Sequence, residues 1–302
     1  MYQFINTVLN GITSGAIFSL MAIALVLVWR STRVINFAQS GMALLSTYIG
    51  FECIQRLHSF WIALPLSMIA GAFFAALVDT FFMRVLFRRT AEGPISGVAP
   101  IIATLGLLGL IRSSLGMIVG NSDASIRPPV SNVGFTVSGH TLAFSPLKLM
   151  TLSMVIALML GLTLVFQRTN LGLALRASAY APEIARLAGV RVDAIRTIGW
   201  ALAGAAGAAA GMLQTPNGNG ALAPDSLEFN LLLVFGFIAA VIGGLESLVG
   251  AVVGGLVLGL FLAFIQYYVS GSLVFIAAFC ILIIVLLLKP NGLLGSKAGR
   301  RA

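Results

Sequence analysis

Long apolar runs separated by short polar segments recur along the whole chain. A helix needs about 20 mainly apolar residues to cross a hydrocarbon layer of about 30 Å, and the runs reach that length. Their apolar residues are continuous rather than alternating, so the pattern favours helices over the strands of a barrel. The runs predict membrane spans at 5–29, 36–54, 60–83, 95–118, 147–167, 196–213, 229–246, 249–269 and 272–288.

This pattern predicts an all-α polytopic membrane protein, with residues 1–302 forming a single transmembrane domain. The apolar runs give nine transmembrane helices, whereas a re-entrant segment at 36–54 or 214–228 would give eight. We expect the connections at 119–146 and 214–228 to lie outside the cell.

Two polar segments interrupt the apolar pattern. Asn36 and Gln39 lie within VINFAQSG at 34–41, and QTPNGNGALAPDS at 214–226 contains Pro and Gly that should preclude regular helix. Broken segments at similar points of two halves are typical of a substrate pathway. The alternatives are a cytoplasmic turn with Asn36 as helix cap and an ordinary external loop.

Charge adds an orientation to the predicted spans. Only 9% of the residues are charged, and the net charge is +9. Because short cytoplasmic loops carry an excess of Lys and Arg, alternate spans place the carboxyl terminus in the cytoplasm and, with nine spans, the amino terminus outside. The basic excess therefore indicates topology rather than nucleic-acid binding. The predicted cytoplasmic basic residues are Arg30, Arg33, Arg84, Arg88, Arg89, Arg168, Arg176, Arg186, Arg191, Arg196, Lys289, Lys297, Arg300 and Arg301.

The sequence contains no recognisable catalytic motif. NGLLGSK at 291–297 lacks the spacing of a phosphate-binding loop, and no H-E-x-x-H or G-x-S-x-G motif occurs. An enzyme needs titratable groups that converge in a pocket, and the predicted membrane interior offers almost none. We therefore predict no catalytic residue, no metal site and no cofactor in this chain.

Two charged residues fall inside the predicted spans. At 1.5 Å per residue, Asp79 should lie ~8 Å from the cytoplasmic boundary and Arg112 ~25 Å from it, too far apart to pair. Asp79, near Arg84, is expected to be an anchor or cap. Arg112 either lines a pathway or extends its side chain to the membrane surface.

Glycine spacing predicts close packing between helices. Small residues four apart form a flat face that lets two backbones approach, and we favour packing within the chain over dimerisation. GGLES at 243–247 is predicted to be a tight connection between two helices. The glycine pairs are Gly11/Gly15, Gly116/Gly120, Gly207/Gly211, Gly250/Gly254 and Gly255/Gly259.

The segment at 168–196 combines helix signals with polar residues. Thr169 or Asn170 can cap a short helix that runs to about Ala179. Pro182 suits the first position of a second helix, and Gly189 suits its left-handed stop. Such a helix–break–helix could dock into a partner's groove or rest on lipid headgroups, and these residues leave both alternatives open.

Four segments resemble a known family in order and spacing: the pattern of Thr, Gly, Ala, Arg and Pro over 169–190, NFAQ at 36–39, the turn and glycines over 243–255, and KPNGLLG at 289–295. Together they resemble the branched-chain amino-acid ABC transporter permeases, and the resemblance covers essentially the whole chain. One departure is that the glycine after NFAQ is displaced by one residue, to Gly41.

The resemblance implies an importer subunit of the bacterial inner membrane. A homologous second permease would complete the translocation pathway, two cytoplasmic ATPases would bind ATP-Mg, and a periplasmic or lipid-anchored protein would deliver substrate. Membrane lipid would surround the chain, and nucleic acid would not be a partner. The segment at 168–196 would seat in an ATPase, with Thr169, Gly172, Arg176, Ala177, Pro182, Glu183, Ala185 and Gly189 as coupling residues.

The resemblance also suggests a substrate class. Branched-chain or other hydrophobic amino acids are the first expectation, and urea, amides or aromatic acids are the alternative within the family. An ion-coupled secondary transporter is less favoured because acidic residues are scarce at mid-membrane depth. The polar candidates for the substrate pathway are Asn10, Thr13, Ser14, Asn36, Gln39, Thr104 and Arg112.

Overall fold

The computed structural model describes residues 2–90, 97–120, 124–137 and 140–294, and its regular structure is almost entirely helical. Each of the nine predicted spans coincides with a helix, although the bounds differ. The long helices are α1 (Tyr2–Thr32), α2 (Gln39–Leu57), α3 (Phe60–Leu77), α5 (Ala99–Val119), α6 (Pro146–Arg168), α9 (Val192–Asn217), α10 (Leu227–Gly243), α11 (Leu248–Phe264) and α12 (Val274–Leu288). The short helices are α4 (Arg84–Thr90), α7 (Asn170–Tyr180) and α8 (Pro182–Leu187).

Six helical segments of the described residues are long and apolar enough to cross a membrane. Helix α10 is apolar but has only 17 residues. Many large apolar side chains on α5, α6 and α12 are exposed, as expected for surfaces that face lipid rather than water. The six segments are Tyr2–Thr32, Phe60–Arg89, Ala99–Val119, Pro146–Arg168, Leu248–Val269 and Gly271–Leu288.

The helix of the third predicted span continues beyond residue 83, where the span was predicted to end. Helix α3 passes through a π-helical turn at Val78–Met83 and continues as α4 to Thr90. The apolar run stops before Arg84, but arginine is a good helix former, so the helix extends beyond the apolar residues. A second π turn, Ile265–Val269, follows α11.

The prediction that 214–226 contains no regular helix is wrong for its first four residues. Helix α9 runs to Asn217 with Pro216 inside its last turn. Pro216 removes one backbone donor, but the Gly218 N–H still donates to the Gln214 carbonyl over 2.9 Å.

Short strands also lie in both connections that were predicted to be external loops. Strand β1 (Ala124–Ser125) pairs antiparallel with β4 (Ala221–Leu222). Strand β2 (Thr136–Val137) pairs with β3 (His140–Thr141). Parts of the loop at 119–146 and all of the tail after 294 lie outside the described residues, and so do the predicted cytoplasmic residues Lys297, Arg300 and Arg301.

The chain divides into two compact units, of which the first comprises 1–26, 128–157 and 234–302. In this unit α1 lies directly against α11, because a Cβ on Gly15 would lie 2.7 Å from the Gly255 carbonyl oxygen. The predicted tight connection at 243–247 is confirmed: Gly244 has φ 101°, and the Ser247 hydroxyl accepts from the Gly250 N–H over 2.9 Å.

The second unit comprises 27–127 and 158–233. Helices α3 and α9 pack closely, since a Cβ on Gly71 would lie 2.6 Å from the Gly204 carbonyl oxygen. Gly207 and Gly211 of α9 similarly face α2.

Internal packing is therefore confirmed for the glycine pairs on α1, α9 and α11, but it is wrong for Gly116/Gly120 on α5. None of the described residues has an atom within 4 Å of a Cβ built on either of these two glycines. The reason is that this part of α5 is largely exposed, and Gly120, at φ 71°, follows the last residue of the helix.

Candidate functional site

The segment after α6 has the helix–break–helix structure that its sequence predicts. The Thr169 hydroxyl caps α7 by accepting from the Gly172 N–H over 3.3 Å. Pro182 begins α8, where its missing N–H costs no hydrogen bond. Gly189 has φ 83° and, with Val190, closes the end of α8 through N–H bonds to the Arg186 and Ala185 carbonyls.

One side of this segment packs inward and the other is exposed. Gly172, Leu175 and Ala185 are buried. Three large apolar side chains on the other side have exposed fractions of 92% (Tyr180), 69% (Ile184) and 89% (Leu187). We call Tyr180, Ile184 and Leu187 the apolar docking patch.

Three of the coupling candidates lie beside this patch in the sequence. Arg176, Ala177 and Glu183 are all exposed, so they remain accessible to a partner. A short helix pair with exposed apolar side chains and flanking charges has the chemistry of a surface that binds a groove in another protein.

A buried ionic cluster connects the end of α3 to the start of α9. Asp79 is fully buried in the π turn, and its carboxylate accepts from Arg196 Nε over 3.0 Å and from the Thr197 hydroxyl over 2.6 Å. Arg84 Nε lies 3.6 Å from the same carboxylate. Arg84 also donates to the Asp193 carbonyl over 2.7 Å.

This cluster confirms the predicted proximity of Asp79 and Arg84 and adds partners that the sequence pattern missed. Arg196 and Thr197 lie more than a hundred positions from Asp79 in the chain, and no local signal connects them. We call α7 and α8 together the docking segment. Because α9 begins shortly after this segment, at Val192, the cluster connects the docking segment to the α3–α4 helix.

Among the pathway candidates, Asn36, Gln39 and Thr104 come together at the break between α1 and α2. All three are buried, and their polar groups bind within the chain. The Asn36 side chain accepts from the Ala38 N–H over 3.0 Å. The prediction of Asn36 as the helix cap is wrong, because α2 begins at Gln39 with Ala38 at the cap position and without a side-chain cap, so the Asn36 bond closes the turn before the helix. Gln39 donates to the Ala203 carbonyl of α9 over 2.9 Å, and the Thr104 hydroxyl accepts from the Phe37 N–H over 3.4 Å.

Arg112 on α5 differs from these three residues. Its Nε and Nη2 are buried and find no hydrogen-bond acceptor among the residues that the structure describes. The carboxylate of Asp225, just before α10, interacts electrostatically with the Arg112 guanidinium. A buried guanidinium with unused donors is costly unless a carboxylate or similar group binds it, so Arg112 is the pathway candidate with the clearest capacity for an anion.

The remaining pathway candidates lie on α1 in the other unit. The Thr13 hydroxyl donates to the Leu9 carbonyl over 2.9 Å, and Ser14 is exposed. Asn10 donates to the Tyr267 hydroxyl over 2.9 Å and accepts from Lys148 Nζ. Sequence reasoning missed Lys148 and Tyr267 because they lie in distant helices.

Comparisons with known proteins match one family of permeases over most of the chain. A family model described as the branched-chain amino acid transport system / permease component matches residues 7–288. The probable branched-chain amino acid transport permease protein LivH of Methanocaldococcus jannaschii is 30% identical over 288 residues, 91% of this chain and 88% of that protein. The high-affinity branched-chain amino acid transport system permease protein LivH of Escherichia coli K12 is 30% identical over 305 residues, 97% and 96% of the two chains. The corresponding permease protein BraD of Pseudomonas aeruginosa is 29% identical over 303 residues, 98% and 97%.

Proposed function

The chain belongs to the branched-chain amino acid transport system permease family, and from this premise we propose that it forms half of the pathway of an importer driven by separate ATPases. The family makes the chain a membrane transport subunit rather than an enzyme. ATP-Mg would bind to the partner ATPases, and a homologous second permease would complete the pathway.

The observation that carries this proposal is the apolar docking patch and its connection to the spans. Tyr180, at the end of α7, and Ile184 and Leu187 of α8 are all largely exposed. Large apolar side chains exposed this close together in the chain are typical of an interaction surface. The ionic cluster around Asp79 bonds the start of α9 to the end of α3, so it would transmit movement of α7 and α8 to both helices.

The mechanism that follows is alternating access without a coupling ion. ATP-driven closure of the two ATPases would move α7 and α8, and α9 would pass that motion to the helices packed on it. The pathway would then open outward to a loaded periplasmic or lipid-anchored binding protein and afterwards reset inward.

The proposed substrate is a branched-chain or other hydrophobic amino acid, which the names of the LivH and BraD relatives support. Such a substrate carries a carboxylate, and Arg112 offers two buried donors to such a group. An amide or urea has no carboxylate, so these two donors favour the amino acid over an amide or urea, whereas an aromatic acid would suit them equally.

We further propose nine spans in a bacterial inner membrane, with the amino terminus outside and the carboxyl terminus in the cytoplasm. Helices lie at all nine predicted positions, and six helical segments of the described residues are long and apolar enough to cross a membrane. The docking segment would then lie on the cytoplasmic side, where ATPases are found.

The test replaces the apolar docking patch in the assembled transporter. We expect the wild-type chain, co-expressed with its ATPases and second permease, to co-purify with both ATPases and to show substrate-stimulated ATP hydrolysis. The triple variant Tyr180→Ser, Ile184→Ser, Leu187→Ser should lose the ATPases while it stays folded, because exposed substitutions change stability by only about 0.5 kcal/mol.

The matched control is Val133→Ser, which also removes an exposed apolar side chain, but from the predicted external side. It should keep both ATPases. Retention of the ATPases by the triple variant would contradict the docking assignment. Uptake driven by an ion gradient in liposomes that contain this chain alone would instead establish a secondary transporter.

A further inference from the structure

A basic cleft lies behind α7 and α8, entirely within the second unit. Its volume is about 260 Å³, several times the ~30 Å³ that one water occupies in the liquid. It is bounded by the last turn of α1, the end of α4, the ends of α7 and α8, and the first turns of α9. The lining residues that carry charge are Arg30, Arg33, Arg186, Arg196 and Asp193.

The lining of this cleft carries more positive than negative charge. Four arginines and Asp193 line it, and one of the arginines, Arg196, binds the buried Asp79, so the formal charge is +2, that is +4 from the arginines and −2 from Asp193 and Asp79. Asp193 lies 3.7 Å from Arg186, where both side chains are about half exposed, so it offsets only part of that charge. A concave surface with this balance attracts anions.

One buried donor in the lining is unused. Arg196 bonds Asp79 through Nε, but its Nη2 is buried and meets no acceptor among the residues that the structure describes. Planar guanidinium groups that converge on a small cavity have the geometry that suits phosphate oxygens.

The surroundings of the cleft point to a lipid rather than to a soluble anion. Phe87 of α4 lines it, and the helix just before Phe87 exposes Phe81, Phe82 and Val85. The cleft therefore lies where an apolar helix surface that would face acyl chains meets a cluster of arginines. Basic pockets at the cytoplasmic ends of membrane helices bind anionic headgroups in this arrangement.

We propose that this cleft binds the phosphate of an anionic phospholipid from the cytoplasmic leaflet. The phosphate would lie among Arg33, Arg186 and Arg196, and the acyl chains would follow the exposed apolar side of α4 and the π turn. The lipid would thereby fill the space between α1 and the docking segment.

The experiment measures binding of phosphatidylglycerol to the full chain in detergent by native mass spectrometry, with phosphatidylcholine as the zwitterionic comparison. We expect the first phosphatidylglycerol to bind roughly tenfold more tightly than phosphatidylcholine, since each nearby Lys or Arg favours an anionic lipid. The double variant Arg33→Gln, Arg186→Gln should weaken phosphatidylglycerol binding by about tenfold or more.

The matched control is Arg88→Gln, Arg89→Gln, which removes two exposed arginines near the end of α4 that do not line the cleft. It should leave the affinity within about twofold of the wild type. Asp193→Asn removes the acidic residue of the lining and should tighten phosphatidylglycerol binding, so the proposal stays testable even if the double variant fails to fold.

Three results would overturn the proposal. Equal binding of the two lipids would show that the cleft does not select an anionic headgroup. Protection of the chain against thermal unfolding by inorganic phosphate alone, to the same extent as by the lipid, would identify a soluble anion as the ligand. An equal loss in the cleft variant and the control variant would show that only the overall charge matters.

Discussion

At the scale of single residues, Asp79 should matter more for stability than a carboxylate on the surface. Asp79→Asn leaves Arg84 and Arg196 without their shared buried carboxylate, and breaking a buried pair costs about 3–5 kcal/mol. The expected result is an apparent Tm in detergent that falls by several degrees.

Asp193→Asn is the control at this scale, because its side chain lies 3.7 Å from Arg186 in a half-exposed pair. Such pairs contribute about 0–1 kcal/mol, so its Tm should hardly change. Equal Tm values for the two variants would mean that the buried cluster adds nothing to stability.

The partners of Asp79 could not be predicted from the sequence, since Arg196 and Thr197 reach it only through the packing of α9 on α3. Thr169, Pro182 and Gly189 were placed correctly, because capping, helix initiation and a left-handed stop depend on residues within one turn. At this scale local interactions can therefore be predicted and distant ones cannot.

At the scale of elements, helix existence was predictable and helix ends were not. The apolar runs located each long helix, but α3–α4 and α9 extend beyond their runs, to Thr90 and Asn217. A helix can continue through arginines, as α4 does, or through a proline in its last turn, as α9 does, when neighbouring groups form the hydrogen bonds that its backbone needs. The local sequence pattern does not show whether such groups are present.

The junction of α6 and α7 depends on the absence of a side chain at Gly172. A Cβ there would lie 2.5 Å from the Phe166 carbonyl carbon, which belongs to the backbone and cannot move aside cheaply. Gly172→Ala should therefore displace α7, lower the Tm and weaken ATPase binding.

Gly161→Ala is the matched control within α6, where no described atom lies within 4 Å of the new Cβ. Alanine is the better helix former by about 1 kcal/mol, so this variant should be as stable as the wild type or more so. A Gly172→Ala chain that is equally stable and still binds ATPases would show that the junction adapts to the extra methyl group.

At the scale of the whole molecule, the sequence indicated the class of protein because composition and charge are summed over many residues. With 59% apolar and 9% charged residues, the chain has too few charged residues to cover its surface as a soluble domain does. Because this conclusion depends on the whole composition, an error at a single helix end hardly changes it. The number and direction of the spans depend more on individual segments such as 36–54, and they are therefore the sharper property to test.

Single cysteines labelled with a membrane-impermeant maleimide in intact spheroplasts would measure this topology, in a chain whose two native cysteines are replaced by serine. With nine spans, Gln3→Cys and Val133→Cys should label from outside, whereas Tyr180→Cys and Lys289→Cys should label only after the membrane is opened. All four positions are exposed in the structure, so protection from the reagent reports the side of the membrane rather than burial. A re-entrant segment at 36–54 would move Gln3 to the cytoplasmic side and leave the other three unchanged, because only the first four predicted spans separate Gln3 from Val133. Labelling of Tyr180 from outside would be incompatible with ATPase docking at α7 and α8, whatever the number of spans.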